Sequence, residues 1–263
     1  MHLLRELYHN KSLIFNLAKN DFKTKYVGSY LGIIWAFIQP ITTVLIYWFV
    51  FQYGLKSGSP IPDVPFVLWF VTGLVPWWFY QEALLNATNS LLEYSYLVKK
   101  VVFKISILPV VKIISSLFIH LVFAIFVLIL FLGYGYSISI YMLQAIYYTM
   151  CTFILVLALS YITCSVVIFF KDLTQLIIIL LQVGMWMTPI MWADTILPEN
   201  MRWIFELNPM YYIVDGYRDC FINKIWFWEK GTESIYFWMV CTIIFGLGVI
   251  VFKKLKSHFA DVL

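Results

Sequence analysis

The sequence predicts an all-α integral membrane protein with six transmembrane helices, an amphipathic helix before the first span and short re-entrant helices before the last. Hydrophobic residues make up 62% of the 263 residues and charged residues only 12%, against roughly 45–50% and about 25% in soluble domains. The few charges are clustered between long stretches that contain none. Because a soluble protein of this size needs a polar surface, the composition excludes a soluble enzyme, a disordered chain and a nucleic-acid binder.

Charge-free stretches predict the spans, because about 20 apolar residues cross the hydrocarbon layer. The stretch between Lys112 and Lys171 is too long for one span and breaks at the turn-rich residues 133–137, so it predicts two. The predicted spans are residues 31–53, 64–88, 110–132, 139–170, 173–193 and 234–252. Pro40 in the first span and Pro189 in the fifth each predict a kink, because proline removes a helical hydrogen bond.

The distribution of positive charge predicts the orientation. If the N-terminus lies in the cytoplasm, most of the 18 Lys and Arg residues fall in the inner segments, as the positive-inside rule requires. Both termini are therefore expected in the cytoplasm, with residues 253–263 as a basic tail.

Residues 1–27 predict an amphipathic interface helix. Apolar residues recur at spacings of four and seven, namely Leu3, Leu7, Ile14, Ala18, Phe22 and Tyr26. Such a helix either lies on the inner membrane surface or packs on a partner protein, and the two alternatives are compatible.

Residues 89–105 predict a docking element on the cytoplasmic side. Ser90 and Glu93 have the spacing of a capping box, in which each side chain satisfies a free backbone N–H of the helix start. A short helix beginning there carries Tyr94 and Tyr96 towards Lys99 and Lys100. The alternative is that the segment is only the end of span two.

Residues 194–233 are too polar to span and rich in aromatic side chains. Asn208-Pro209 has the pattern of a helix start, with Asn as the cap and Pro at the first helical position. The segment predicts two short re-entrant helices at the outer leaflet, since backbone at that depth must be helical or packed on protein.

The sequence contains no P-loop, no nucleophile elbow and no H-E-x-x-H motif, so no catalytic or metal-binding residue is predicted. His120 lies well inside a span, where a lone His typically forms a hydrogen bond between helices. A chain without a fuel site or an ion relay is either passive or driven by a partner.

Aromatic residues make up 20% of the chain, and several lie away from the expected interfaces. One interpretation is a path lined with aromatic faces on which the C–H faces of sugar rings stack. The other is ordinary packing and lipid contact. The candidates for channel lining are Trp35, Phe37, Tyr47, Trp77, Trp78 and Trp186.

Several short motifs together resemble the permease subunits of bacterial ABC transporters that export O-antigen, teichoic acid or capsule polysaccharide. The similarity covers nearly the whole chain and is carried by residues 18–26 (AKNDFKTKY), 28–32 (GSYLG) with Trp35 and Gln39-Pro40, 72–77 (TGLVPW), 170–173 (FKDL), 188–190 (TPI), 197–198, 207–209 (LNP) and 259–263.

The resemblance implies a homodimer in the bacterial cytoplasmic membrane that works with two copies of an ATPase chain, which holds ATP and Mg²⁺. It implies an undecaprenyl-diphosphate-linked glycan as cargo and a channel formed largely by spans one and five, with no cofactor on this chain. The segment of Ser90, Glu93, Tyr94, Tyr96, Lys99 and Lys100 then looks like the coupling helix. Lys23, Lys25 and Tyr26 are candidates to meet the lipid diphosphate at the entrance, although the lysines could instead anchor the chain to anionic lipid.

Three other functions remain open on the residues alone. The same fold serves exporters of drugs or lipids. A membrane acyltransferase or glycosyltransferase would need a polar catalytic pair, for which only His258 and Asp261 lie close in sequence. A passive pore would conduct without an ATPase.

Overall fold

The computed structural model describes residues 7–25, 30, 32–54, 59–99 and 104–263, and the regular structure within these ranges is entirely helical. The helices are α1 (Lys11–Thr24), α2 (Trp35–Phe49), α3 (Phe66–Thr88), α4 (Ser90–Glu93), α5 (Ser95–Val98), α6 (Leu108–Gly133), α7 (Gln144–Val166), α8 (Leu173–Met187), α9 (Glu199–Glu206), α10 (Pro209–Arg218), α11 (Gly231–Leu255) and α12 (Phe259–Val262). The predicted all-α membrane fold is confirmed.

Among the described residues, four helical stretches are long and apolar enough to cross a membrane: Gly32–Gly54, Ile105–Gly133, Ile140–Val166 and Gly231–His258. The apolar helix α8 is shorter, at 15 residues. Helix α3 has 23 residues, but polar residues near its C-terminal end, such as Gln81 and Glu82, lower its mean hydropathy. The count of six spans stays a prediction.

Helix α3 forms the centre of the bundle. It is buried around most of its circumference and packs against α6, α7, α8 and α10, as expected for a helix that is hydrophobic all round. Near one end, Tyr136 donates a hydrogen bond to the Asp63 carbonyl (2.8 Å), and near the other, Asn86 donates to Ser116 (2.9 Å). Helices α3 and α6 are therefore antiparallel.

The apolar face of α1 covers α6 of the same chain, whereas the sequence led us to expect a lipid surface or a partner protein. Ile14 and Ala18 are buried, and the Phe22 ring lies 5.6 Å from the Phe118 ring of α6. Ile14 and Ala18 belong to the predicted apolar face, and α6 supplies the apolar surface that this face covers; Leu3 and Tyr26 lie outside the described residues.

Two helix termini show how proline acts here. Thr188 is extended (φ −100°, ψ 129°), since the residue before a proline is disfavoured in the α region. Pro189 therefore ends α8 at Met187, where a kink and a helix continuing to residue 193 had been predicted. The predicted start of α10 is confirmed, because Asn208 Oδ1 accepts a hydrogen bond from the Met210 N–H (3.0 Å).

Candidate functional site

A cavity of about 450 Å³ lies between α2, α3 and α6. It begins beside the C-terminal end of α1 and reaches His120, about halfway along α6. Its size is within the roughly 300–1,000 Å³ typical of ligand pockets. Trp35 of α2 and Trp78 of α3 both line it, so the structure brings two of the predicted aromatic residues together.

An ion pair lies at the rim of the cavity, where the Lys25 ammonium contacts the Glu82 carboxylate of α3. Both side chains are partly exposed, at 41% and 29%. Lys25, a sequence candidate to meet the lipid diphosphate, is thus paired with a carboxylate within the chain. Lys23 is exposed on α1, and Tyr26 lies outside the described residues.

His120 provides the polar wall at the far end of the cavity. Its Nε2 lies 2.9 Å from the Tyr217 hydroxyl and 3.1 Å from the Thr149 hydroxyl, which connects α6 with α10 and α7. The imidazole stacks on the Phe79 ring at 4.6 Å. The prediction of an interhelical hydrogen bond at His120 is confirmed.

Two more candidate aromatics pack near the cavity without lining it. Phe37 is half-buried, with its ring 6.0 Å from that of Phe123. Tyr47 is half-buried further along α2, with its ring 5.6 Å from that of Phe70 on α3. Both rings hold α2 against its neighbours.

The remaining two candidates have opposite environments. Trp77 is 1% exposed and fills the contact between α3 and α8, where a Cβ at Gly184 would lie 3.1 Å from its Cη2 atom. Trp186 is 63% exposed on α8. Within one chain, therefore, Trp77 is a packing residue and Trp186 faces outward.

A buried lysine joins three elements next to the cavity. Lys112, at the start of α6, has its Nζ 2.6 Å from Asp21 Oδ1 of α1 and also pairs with Glu93 of α4. The Tyr94 hydroxyl donates to the same Asp21 oxygen (2.9 Å). Burial and the hydrogen bond to Asp21 raise the pKa of the Tyr94 phenol, so it remains a neutral donor.

The predicted capping box is wrong. Ser90 is buried as the first residue of α4, and its hydroxyl donates to the Ala87 carbonyl (2.7 Å). Glu93 pairs with Lys112 because an ammonium in a largely buried position binds a carboxylate more strongly than a backbone N–H does. Tyr96 and Lys99 are exposed, as a docking surface needs, and Lys100 lies outside the described residues.

The sequence interpretation did not select Asp21, Glu82 or Lys112 as site residues, although Asp21 carried a signal. It follows Ile14 by seven residues and Ala18 by three, so it shares the helix face that is buried. An acidic residue on an apolar face needs a partner. Lys112, close to the predicted start of span three, is a cation of the kind that could pair with it.

At the opposite end of the bundle, two basic side chains, Arg218 and Lys230, connect neighbouring elements. The Arg218 guanidinium stacks 3.8 Å above the Trp69 ring and donates to the Ile190 carbonyl (3.2 Å). Lys230 pairs with Asp215 and, at 2.5 Å, with Asp219. Burial opposes the charge on Lys230, but the two carboxylates outweigh it and raise its pKa.

Among the residues that the structure describes, no group of three or more His, Cys, Asp or Glu side chains is positioned to hold a metal ion.

Comparison with known proteins places these features in a family. The family model described as ABC-2 type transporter matches residues 12–222. Two proteins named O-antigen export system permease protein RfbA, both from Klebsiella pneumoniae, are 27% identical over 264 residues, which covers 98% of this chain and 99% of each relative. A protein of the same name from Myxococcus xanthus is 28% identical and covers 83% of this chain and 84% of its own length. Since the family model covers most of the sequence, the chain belongs to the ABC-2 type transporter family.

Proposed function

We propose that this chain is the membrane subunit of an ATP-driven exporter that moves a lipid-diphosphate-linked polysaccharide across the bacterial cytoplasmic membrane. The proposed cargo is of the O-antigen type, with teichoic acid and capsule as chemically related alternatives, carried on undecaprenyl diphosphate. The observation that carries the proposal is the cavity between α2, α3 and α6, which combines aromatic faces with a charged rim. The names of the relatives support the choice of cargo.

The aromatic residues suit a sugar chain that must move. Trp35 and Trp78 offer apolar faces to the C–H faces of sugar rings. Stacking of this kind involves no fixed hydrogen-bond geometry, so successive sugar units can pass the same surface. A polysaccharide can therefore be held in the path without being trapped there.

The ion pair at the rim suits a diphosphate. Lys25 is a cation whose partner, Glu82, is partly exposed. An entering diphosphate offers more negative charge than one carboxylate and can replace Glu82 as the partner of Lys25 through charge-assisted hydrogen bonds. The exposed Lys23, two residues earlier, adds to the positive potential at the entrance.

Two copies of the chain would form the channel, with α2 and α8 lining it. Both helices expose large apolar residues within one chain, including Leu45 and Ile46 on α2 and Leu180 and Trp186 on α8. Two copies of a separate ATPase chain, which hold ATP and Mg²⁺, would press on the segment Ser90–Val98 and open α2 and α8 to the cargo. Both termini would then lie in the cytoplasm, and this chain would itself catalyse no covalent step.

The first experiment depletes the chain in its native cell and locates the lipid-linked glycan. The proposal predicts full-length polymer on the cytoplasmic side and loss of polymer from the surface. Normal surface glycan would refute it and favour an exporter of drugs or small lipids.

Complementation with cavity variants gives the matched test. Trp35→Ala combined with Trp78→Ala should lower export at normal protein levels, whereas Trp35→Phe with Trp78→Phe should preserve it. Neutralising both Lys23 and Lys25 with Gln should also lower export. Full export by that lysine variant would show that the two residues only anchor the chain to anionic lipid.

A further inference from the structure

We propose that Lys112 is a positioning residue that fastens the segment Ser90–Val98 to α1, so that movement of this segment reaches the Lys25–Glu82 pair at the cavity rim. The inference rests on the proposed function, in which a partner ATPase moves that segment. It adds the route by which the movement reaches the entrance.

The first step of the route is the shared contact at Lys112. Its Nζ bonds Asp21 of α1 (2.6 Å) and pairs with Glu93 of α4. The side chains of Lys112 and Asp21 are only 9% and 12% exposed. Separating them would leave a charge largely buried without its partner, which is strongly unfavourable. The contact therefore resists being pulled apart when either element moves.

The second step is a direct contact between Tyr94 and Asp21. The Tyr94 hydroxyl donates to Asp21 Oδ1, the same oxygen that Lys112 contacts, and the Lys112 ammonium lies 5.1 Å from the Tyr94 ring centre. Asp21 thus contacts the segment Ser90–Val98, here named the docking segment, directly as well as through Lys112. The exposed Tyr96 lies two residues beyond Tyr94, where a partner can push.

The third step runs along α1 to the cavity. Lys25 follows Asp21 by one helical turn, and its backbone N–H donates to the Asp21 carbonyl (3.1 Å). A helical turn is stiff, so displacement of Asp21 displaces Lys25. Lys25 pairs with Glu82, and both line the cavity. Movement of the docking segment would therefore displace the paired side chains of Lys25 and Glu82 at the entrance.

The test measures the mechanical link and the transport separately. Spin labels are placed through Ser12→Cys on α1 and Tyr96→Cys on the docking segment, and their distance distribution is measured by pulsed electron paramagnetic resonance in lipid nanodiscs. The four native cysteines are buried and stay unlabelled. Polymer exported per ATP hydrolysed is measured in the complex with the ATPase.

Lys112→Met should broaden the distance distribution and lower the polymer exported per ATP by about tenfold, within the range typical of coupling between sites. Lys112→Arg, which keeps the charge, should restore both. Lys19→Met removes an exposed cation from the same α1 helix and should change neither. If Lys112→Met does not fold, Tyr94→Phe removes the one hydrogen bond that Tyr94 donates to Asp21 and should produce a smaller change in the same direction.

An unchanged distance distribution in Lys112→Met, or unchanged export per ATP despite a broadened distribution, would overturn the inference. The distance measurement needs no cargo. A wild-type chain that keeps the narrow distribution but exports no polysaccharide would therefore refute the proposed function and not the link between α1 and the segment.

Discussion

Replacing Gly248 with Ala tests a close contact between the backbones of two helices. Gly248 lies on α11 where it crosses α7, and a Cβ there would lie 2.9 Å from the Ala158 carbonyl oxygen and 3.1 Å from the Tyr161 Cβ. A backbone oxygen cannot rotate away, so α7 and α11 must separate. Small residues at such crossings allow the close approach that stabilises membrane helices.

The expected change in the free energy of unfolding of Gly248→Ala follows from two opposing effects. Forcing one extra carbon into a packed contact costs about 1–3 kcal/mol. Replacing Gly with Ala inside a helix gains about 1 kcal/mol. Gly246, on the same helix, has no neighbouring atom within 4 Å of an added Cβ. Gly246→Ala therefore reports only the gain from the higher helix propensity of Ala. The difference in the free energy of unfolding between the two variants then measures the cost of crowding the contact between α7 and α11.

The assay is reversible unfolding in mixed micelles with increasing SDS, followed by far-UV circular dichroism. We expect Gly248→Ala to have a free energy of unfolding about 1–3 kcal/mol below that of Gly246→Ala. Equal stability of the two variants, or a more stable Gly248→Ala, would show that α7 and α11 are not packed as closely as the structure has them.

Two further predictions use the same unfolding assay. Trp77→Ala should lower the free energy of unfolding by about 3–5 kcal/mol because the ring is fully buried. Trp35 is half-exposed, so Trp35→Ala should lower it by less than about 1 kcal/mol. Similar losses in the two variants would contradict the burial of Trp77 and the exposure of Trp35. Asp21→Asn should lower the free energy of unfolding by about 3–5 kcal/mol, because it removes the buried charged partner of Lys112. Glu93 is 51% exposed, so Glu93→Gln should lower it by less than about 1 kcal/mol. A larger loss in Glu93→Gln than in Asp21→Asn would refute the network.

Much of the fold follows from the sequence because membrane helices obey local rules. The absence of charge over long stretches predicted the helices now seen as α2, α3, α6, α7 and α11, with bounds within a few residues except at the start of α7 and its end at Val166. Asn208-Pro209 predicted the start of α10 in the same local way. Helix α8 was placed correctly but given six residues too many, because Pro189 was taken as a kink.

The candidate site was only partly predictable. Trp35, Trp78 and Lys25 were selected from residue type and position, and the cavity brings them together. Glu82, the partner of Lys25, and the network at Lys112 were missed, because a single sequence does not show which residues 57 or 91 positions apart will pair. The capping box at Ser90 failed for the same reason, since a distant lysine attracted Glu93.

The class of protein, the approximate extent of its helices and the apolar face of α1 could be predicted from the amino-acid order, because hydropathy and helical periodicity are properties of neighbouring residues. The packing of the folded chain was needed to show that this face covers α6, that Trp77 is buried and Trp35 exposed, and that Asp21, Glu93 and Lys112 form one network. Burial and charge pairing depend on which helix lies opposite a residue, and the neighbouring helix is set by long-range packing, which local sequence patterns do not encode.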